Sequence, residues 1–219
     1  MANRKQNFRI YFSVEGETEK WYLNWLQQQI NASDASKLSV KFDVKVEKDP
    51  VKRIKQTAFF EEATFIHFFD IESQEAAHVQ QVQTTLDRLK LAKEYKPVTY
   101  KLAYSNFAFE LWILLHKCAF TKSLTHRSQY LQPINKTFGE NFENLHQCKH
   151  QDNFARILSK LTLSDVVTAI KNAKTIEDQN ALQYKAVRYK GCSYYKENPS
   201  LSVGRIIEEI LQKCGLVGK

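Results

Sequence analysis

The sequence predicts an α/β fold: a parallel four-stranded sheet flanked by helices, followed by a mainly helical C-terminal part. Three observations carry this. Between Phe8 and His116, short runs rich in aromatic and β-branched residues alternate four times with stretches whose apolar residues recur at steps of three and four. The third run, Thr64 to Asp70, is almost wholly apolar, as a strand covered on both faces must be. Beyond Cys118 the strand pattern gives way to helical spacing. Strands alternating with helices imply right-handed crossovers between parallel neighbours.

In order along the chain, Phe8 to Val14 reads as the first strand, and the turn Glu15-Gly16-Glu17-Thr18-Glu19 leads to Trp21, Trp25 and Ile30 at helical intervals. Val40, Phe42, Val44 and Val46 alternate with polar residues and form a second strand. Asp49-Pro50 then supplies an N-cap and an N1 proline for a helix carrying Val51, Ile54 and Ala58. After Thr64 to Asp70, a helix bears Val79, Val82, Leu86 and Leu89. The fourth strand, Val98 to Tyr104, precedes Asn106 and a helix near Phe107 to His116. Leu158, Leu161, Val166, Val167 and Ile170 fit helices, and Leu201 to Cys214 fits a helix stopped by Gly215. There is no internal repeat or low-complexity tract, and 6 Gly with 4 Pro leave little room for a long flexible joint. A core over 1–118 with a helical subdomain over 119–219 packed on it is the expected organisation.

Hydrophobic residues make up 43% of the 219, with 14 Phe, 10 Tyr and 3 Trp, so a sizeable core is available and a disordered chain is excluded. No apolar stretch reaches the roughly 20 residues of a membrane span. The start Met1-Ala2-Asn3-Arg4-Lys5-Gln6-Asn7 leads into a strand rather than an apolar signal core, which makes a cytoplasmic protein the expectation. Cys118, Cys148, Cys192 and Cys214 contain no C-x-x-C pair, so neither a disulfide framework nor a zinc ribbon is indicated. A formal charge of +8 favours a polyanionic partner, nucleic acid foremost.

The loops that follow parallel strands collect at one edge of the sheet, which would bring residues 13–19, 70–72 and 105–110 to a common rim. Carboxylates gathered from distant positions repel one another, and folds commonly neutralise them with a divalent cation. Asp70 and Glu72, two apart, would face the same side at the end of a strand and hold one or two ions. Glu15 on the neighbouring turn would ligate or move protons. Glu19 would ligate, or else place its charge at the positive end of a helix. Ser105, Asn106 and Glu110 would orient a phosphate, with helix capping as the competing role, while His116 fits a packed core.

Tyr184 to Lys190 and Tyr194-Tyr195-Lys196 mix cations with rings, the pattern of a surface that grips a nucleic-acid strand. Lys185, Arg188, Lys190 and Lys196 are the candidates there. Lys45, Lys48, Lys52, Arg53 and Lys55 read instead as a solvated helix face. His146-Gln147-Cys148-Lys149-His150 offers soft ligands at helical spacing, but no fourth ligand stands nearby, so chance explains it better than zinc.

Glu15-Gly16-Glu17-Thr18-Glu19 after the first strand, Asp70-Ile71-Glu72 after the third, the block Ser105-Asn106-Phe107-Ala108-Phe109-Glu110-Leu111-Trp112 and Asn198-Pro199-Ser200-Leu201-Ser202-Val203 together resemble the RloB/AbiLii family of phage-defence, abortive-infection proteins. The likeness runs in order over nearly the whole chain. It implies a Toprim-like core and a metal-dependent nuclease using Mg²⁺ or Mn²⁺, with an ATPase as partner. Glu15 matches the acid-base glutamate of that core and Asp70 the first acid of its D-x-D motif, while Glu72 stands where the motif usually has Asp. Glu15, Asp70 and Glu72 are thus the catalytic expectation, and Glu15, Glu19, Asp70 and Glu72 the metal ligands. The alternatives are a non-catalytic subunit that binds nucleic acid or a signal for an ATPase complex, or a phosphoryl-transfer enzyme acting on small molecules.

Overall fold

A computed structural model describes residues 5–59, 62–95 and 98–218. Residues 1–4 of the opening segment lie outside the described residues. Strand β1 (Gln6–Val14) has apolar side chains on both faces and therefore occupies the middle of the sheet. It pairs in parallel with β2 (Leu38–Val46) along its whole length, and with β3 (Ala63–Asp70) from Tyr11↔Phe65 to Ser13↔His67. β3 in turn pairs in parallel with β4 (Val98–Asn106). Later in the chain, β5 (Val187–Tyr189) and β6 (Cys192–Tyr194) form a separate hairpin. β7 (Ser200–Leu201) returns to the main sheet and runs antiparallel to β4. The order is β2-β1-β3-β4-β7.

The helices are α1 (Glu17–Ala32), α2 (Pro50–Lys55), α3 (Ala76–Tyr95), α4 (Glu110–Leu115), α5 (Leu131–Phe138), α6 (Leu145–Cys148), α7 (Gln151–Ser159), α8 (Leu163–Gln183) and α9 (Val203–Lys213). One face of the sheet, with Ile10, Phe12, Val40, Ile66 and Phe68, lies under Tyr22, Leu23, Leu26 and Ile30 of α1. That core runs without a break into α4 and the buried sides of α5, α7, α8 and α9. On the other face, Tyr11, Phe65, Phe69 and Tyr100 pack against Val51 and Ile54 of α2 and Val82, Leu86 and Leu89 of α3, joined by Tyr194 from the hairpin. α4 is apolar all round from Leu111 to Leu115 and is accordingly buried on every side. At roughly 1.5–3 kcal/mol per large apolar side chain removed from water, it anchors the helical part to the sheet.

The parallel α/β core and helical C-terminal part agree with the expected class, with two additions and two corrections. The sheet has a fifth strand, β7, and the C-terminal part contains the β5–β6 hairpin. Leu201 belongs to β7 and the last helix begins at Val203, because Ser202 turns the chain: its amide donates to Tyr104 O and its hydroxyl oxygen accepts from Tyr104 N. Arg53 is not on a solvated face. It is buried and donates to Phe12 O at 3.0 Å, Thr57 Oγ1 at 2.8 Å and Asp43, so its fork of donors ties α2 to β1 and β2. Asp49 caps α2 through Val51 N and also binds Arg88 of α3. All four cysteines are free thiols. No described helix is long and apolar enough to cross a membrane.

Candidate acidic site at the sheet edge

The chain leaves β1 toward β2 on one side and returns to β3 on the other, so the gap between the carboxyl ends of β1 and β3 is the switch point of the sheet, where α/β folds form clefts. Glu15 directly follows β1, and Asp70 ends β3. Glu15 Oε2 accepts a hydrogen bond from Asp70 N at 3.2 Å, which joins the two acidic segments across that gap. Burial pushes the Glu15 carboxyl up to about 7. The charges of Glu19 and Glu72 add to the rise, against the hydrogen bond from Asp70 N and the charge of Lys48. Asp70 is raised well above the ordinary carboxylate range by burial, then by Glu19, Glu15 and Glu110.

Glu19 stands at 5% exposure in the first turn of α1 and faces the same cluster. Burial raises it, and the Glu110 charge adds to that, while its own amide and the Thr18 hydroxyl at 2.9 Å work in the other direction. Gly16 makes room for this arrangement, since a Cβ there would lie 3.1 Å from Glu19 Oε2. Glu110, at 4% exposure, completes the group from the start of α4. Its Oε1 lies 3.0 Å from Lys149 Nζ, and its buried Oε2 has no hydrogen-bond partner.

Lys149 belongs to a segment that the sequence gives no reason to place at the site, yet the structure brings it here. Residues 145–148 form α6, Lys149 follows as its C-cap, and the side chain reaches the rim from the helical part. Burial acts to lower the Lys149 ammonium, but the charge and hydrogen bond of Glu110 and the charges of Asp70 and Glu19 outweigh it, so the net direction is upward. The other members of that segment stay out of the cluster. The Cys148 thiol is buried and pushed up to about 12, and the His146 and His150 rings contact each other at 5.0 Å.

Glu72 does not join Asp70 as the alternation of a strand would have it. β3 ends at Asp70, so the two-residue period that would put both acids on one face stops there. Glu72 instead pairs with Arg127 at 3.0 Å and His78 at 3.4 Å, with about a third of its side chain exposed. Ser105 and Asn106 are the last two residues of β4 and not helix caps, since the N-cap of α4 is Phe109. Ser105 O accepts from Ile71 N at 2.8 Å. Asn106 Nδ2 donates to Lys196 O at 2.9 Å and Glu197 O at 3.3 Å, and Asn106 O accepts from Asn198 Nδ2 and Tyr130 Oη. Asn198 Oδ1 accepts from Leu124 N at 2.7 Å. The block at 105–110 and the segment at 198–203, far apart in sequence, are thus bonded to each other.

Lys185, Arg188, Lys190 and Lys196 are all exposed. Lys190 lies 3.7 Å from Asp87 and 5.5 Å from the Tyr189 ring centre, at the hairpin turn. Lys196 sits beside the rim through its carbonyl bond to Asn106. The rings between them are mostly engaged: Tyr189 Oη donates to Asp87, and Tyr194 is buried against Tyr104 at 6.3 Å. Tyr184, at 43% exposure, is the most open of these tyrosines.

As the side chains stand, no three acidic, histidine or cysteine groups among the described residues are close enough together to hold an ion. The donor set nevertheless suits one. Glu15, Glu19, Asp70 and Glu110 are hard oxygen donors of the kind that Mg²⁺ and Mn²⁺ take, and Glu110 Oε2 is a buried acceptor without a donor. Fold and site together define an α/β protein with an acidic cluster at the switch point of a parallel sheet. The family model for RloB-like proteins matches residues 10–210, from β1 to α9, and the chain belongs to that family. No curated protein and no solved structure matches it.

Proposed function

We propose that the chain is a divalent-metal-dependent nuclease that hydrolyses phosphodiester bonds in DNA or RNA, acts in anti-phage defence and is controlled by a partner ATPase. The observation that carries the chemistry is the hydrogen bond from Asp70 N to Glu15 at the switch point, in a group with the buried carboxylates Glu19 and Glu110. The family match and the family resemblance of the sequence support the defence role. Glu15, Glu19 and Asp70 would hold Mg²⁺ or Mn²⁺, which when bound neutralises the clustered charge and supplies a water of lowered pKa. Glu15, held near 7, suits proton transfer at neutral pH. Glu72 would join only by giving up Arg127 or His78. Lys185, Arg188, Lys190 and Lys196 would take the phosphate backbone.

The test is cleavage of plasmid and of total tRNA with Mn²⁺, with and without the ATPase. Asp70→Asn and Glu15→Gln should each lose about 10²-fold or more of the rate with circular dichroism unchanged, and chelator should abolish the wild-type activity. Undiminished cleavage by either variant overturns the assignment. A second reading, a non-catalytic subunit that binds nucleic acid or a signal, is favoured by the pairing of Glu72 with Arg127 and His78 outside the cluster. It expects salt-dependent binding with no cleavage under any of these conditions.

A further inference from the structure

We propose that Lys149 is the resident counter-cation of the acidic rim and that a divalent ion binds by displacing its ammonium from Glu110. The displacement half rests on the metal-site reading above. The counter-cation half stands on the ion pair with Glu110 and its unpartnered oxygen and needs no metal.

Three observations converge on this residue. Lys149 Nζ lies 3.0 Å from Glu110 Oε1. Glu110 is 4% exposed, and its second oxygen, Oε2, is buried with no donor at all, so the carboxylate keeps an unused acceptor. The charges of Asp70 and Glu19 act on the same ammonium, which therefore serves the group rather than one partner.

The alternative, an ion bound with the ammonium still in place, is electrostatically poor. Like charges a few ångströms apart repel, and the Lys149 ammonium already occupies Glu110 Oε1 at 3.0 Å, so an ion that takes Glu110 competes with it. The ammonium is the one free to move aside. Lysine is the group built to do so: its charge sits on a flexible four-carbon stem, and this side chain is 38% exposed, with a route to water. Its backbone stays fixed meanwhile. Lys149 N donates to Leu145 O and His146 O, and Asn153 Nδ2 holds Gln147 O at 2.7 Å. On leaving, the ammonium exposes Glu110 as an oxygen donor beside Asp70 and Glu19, a role the position of Glu110 in the sequence did not suggest. The rim thus has two states, one closed by a single positive charge from the helical part and one by a doubly charged ion from solution.

The test uses the full chain as wild type, Lys149→Met, Lys149→Arg and the double variant Lys149→Met with Glu110→Gln, each checked by circular dichroism. In chelator at pH 8, Lys149→Met should melt lower than wild type by about 2–4 °C, and adding Glu110→Gln should restore the loss. A melting temperature unchanged in Lys149→Met overturns the counter-cation role. In calorimetric titration with Mn²⁺, Lys149→Met should bind roughly five- to tenfold more tightly than wild type, while Lys149→Arg, which keeps the charge, should show no such gain. Equal or weaker binding by Lys149→Met overturns the displacement and leaves the metal site standing, whereas no binding by any of the four proteins overturns both. If Lys149→Met does not fold, Lys149→Gln replaces it with the same expectations.

Discussion

Gly16 decides where the carboxylate of Glu19, three residues on in the first turn of α1, can lie. Its φ of −147° and ψ of 176° are open to any residue, so the backbone does not require glycine there. The space does: a methyl group at this position would stand 3.1 Å from Glu19 Oε2 and push it off the rim. Gly16→Ala is therefore expected to leave the melting temperature within about 2 °C of wild type while lowering Mn²⁺ affinity and cleavage roughly tenfold, measured by calorimetry and plasmid assay. Wild-type affinity in this variant would remove Glu19 from the ion. At this scale Glu15, Glu19 and Asp70 were legible in the sequence because each stands within a turn of a strand end. Lys149 was not, because its partner Glu110 lies on another helix and no local spacing connects them.

Among the elements, the strands and crossover helices of the core were legible where periodicity runs over several residues, as in β2 or α3. β7 has two residues, too few to show a period, and the β5–β6 hairpin has three per strand, so its cations and rings stood out while its strands did not. Helix contacts across the C-terminal part were equally hidden, and one can be checked directly. Gly204 of α9 faces α8 and α4, and an added Cβ would meet Ala173 Cβ of α8 at 2.5 Å and the Trp112 ring of α4 at 3.5 Å. Alanine normally favours a helix over glycine by about 1 kcal/mol, but here overpacking wins. Gly204→Ala should lower stability by about 1–3 kcal/mol in urea unfolding, and a gain in stability would show that α8 and α9 are not packed this closely.

For the molecule as a whole, two buried histidines set a dependence on acid. His67 lies in the sheet, with Nδ1 2.7 Å from Ser13 Oγ. His116 lies in the larger core, bonded to Tyr22 Oη and Trp112 O. Burial lowers both to about 4. An unfolded histidine takes up its proton near 6.5, so between about 6.5 and 4 the unfolded chain binds more protons and stability falls as pH falls. The raised carboxyls of the rim act with the opposite sign, so the clean measurement is a difference between two proteins. The stability advantage of wild type over His116→Gln should shrink by up to about 3 kcal/mol from pH 7 to pH 4, by chemical denaturation; a constant difference would mean that His116 is not held neutral.

The bonding of Ser105 and Asn106 to residues 196–201 reaches across some 90 positions. A nascent polypeptide that has not yet been extended through Leu201 lacks the strand and carbonyls that hold the end of β4, and with them the seat of Glu110. A fragment ending short of residue 196 is therefore expected to leave the end of β4 and the start of α4 without these partners, whatever else of the fold it keeps.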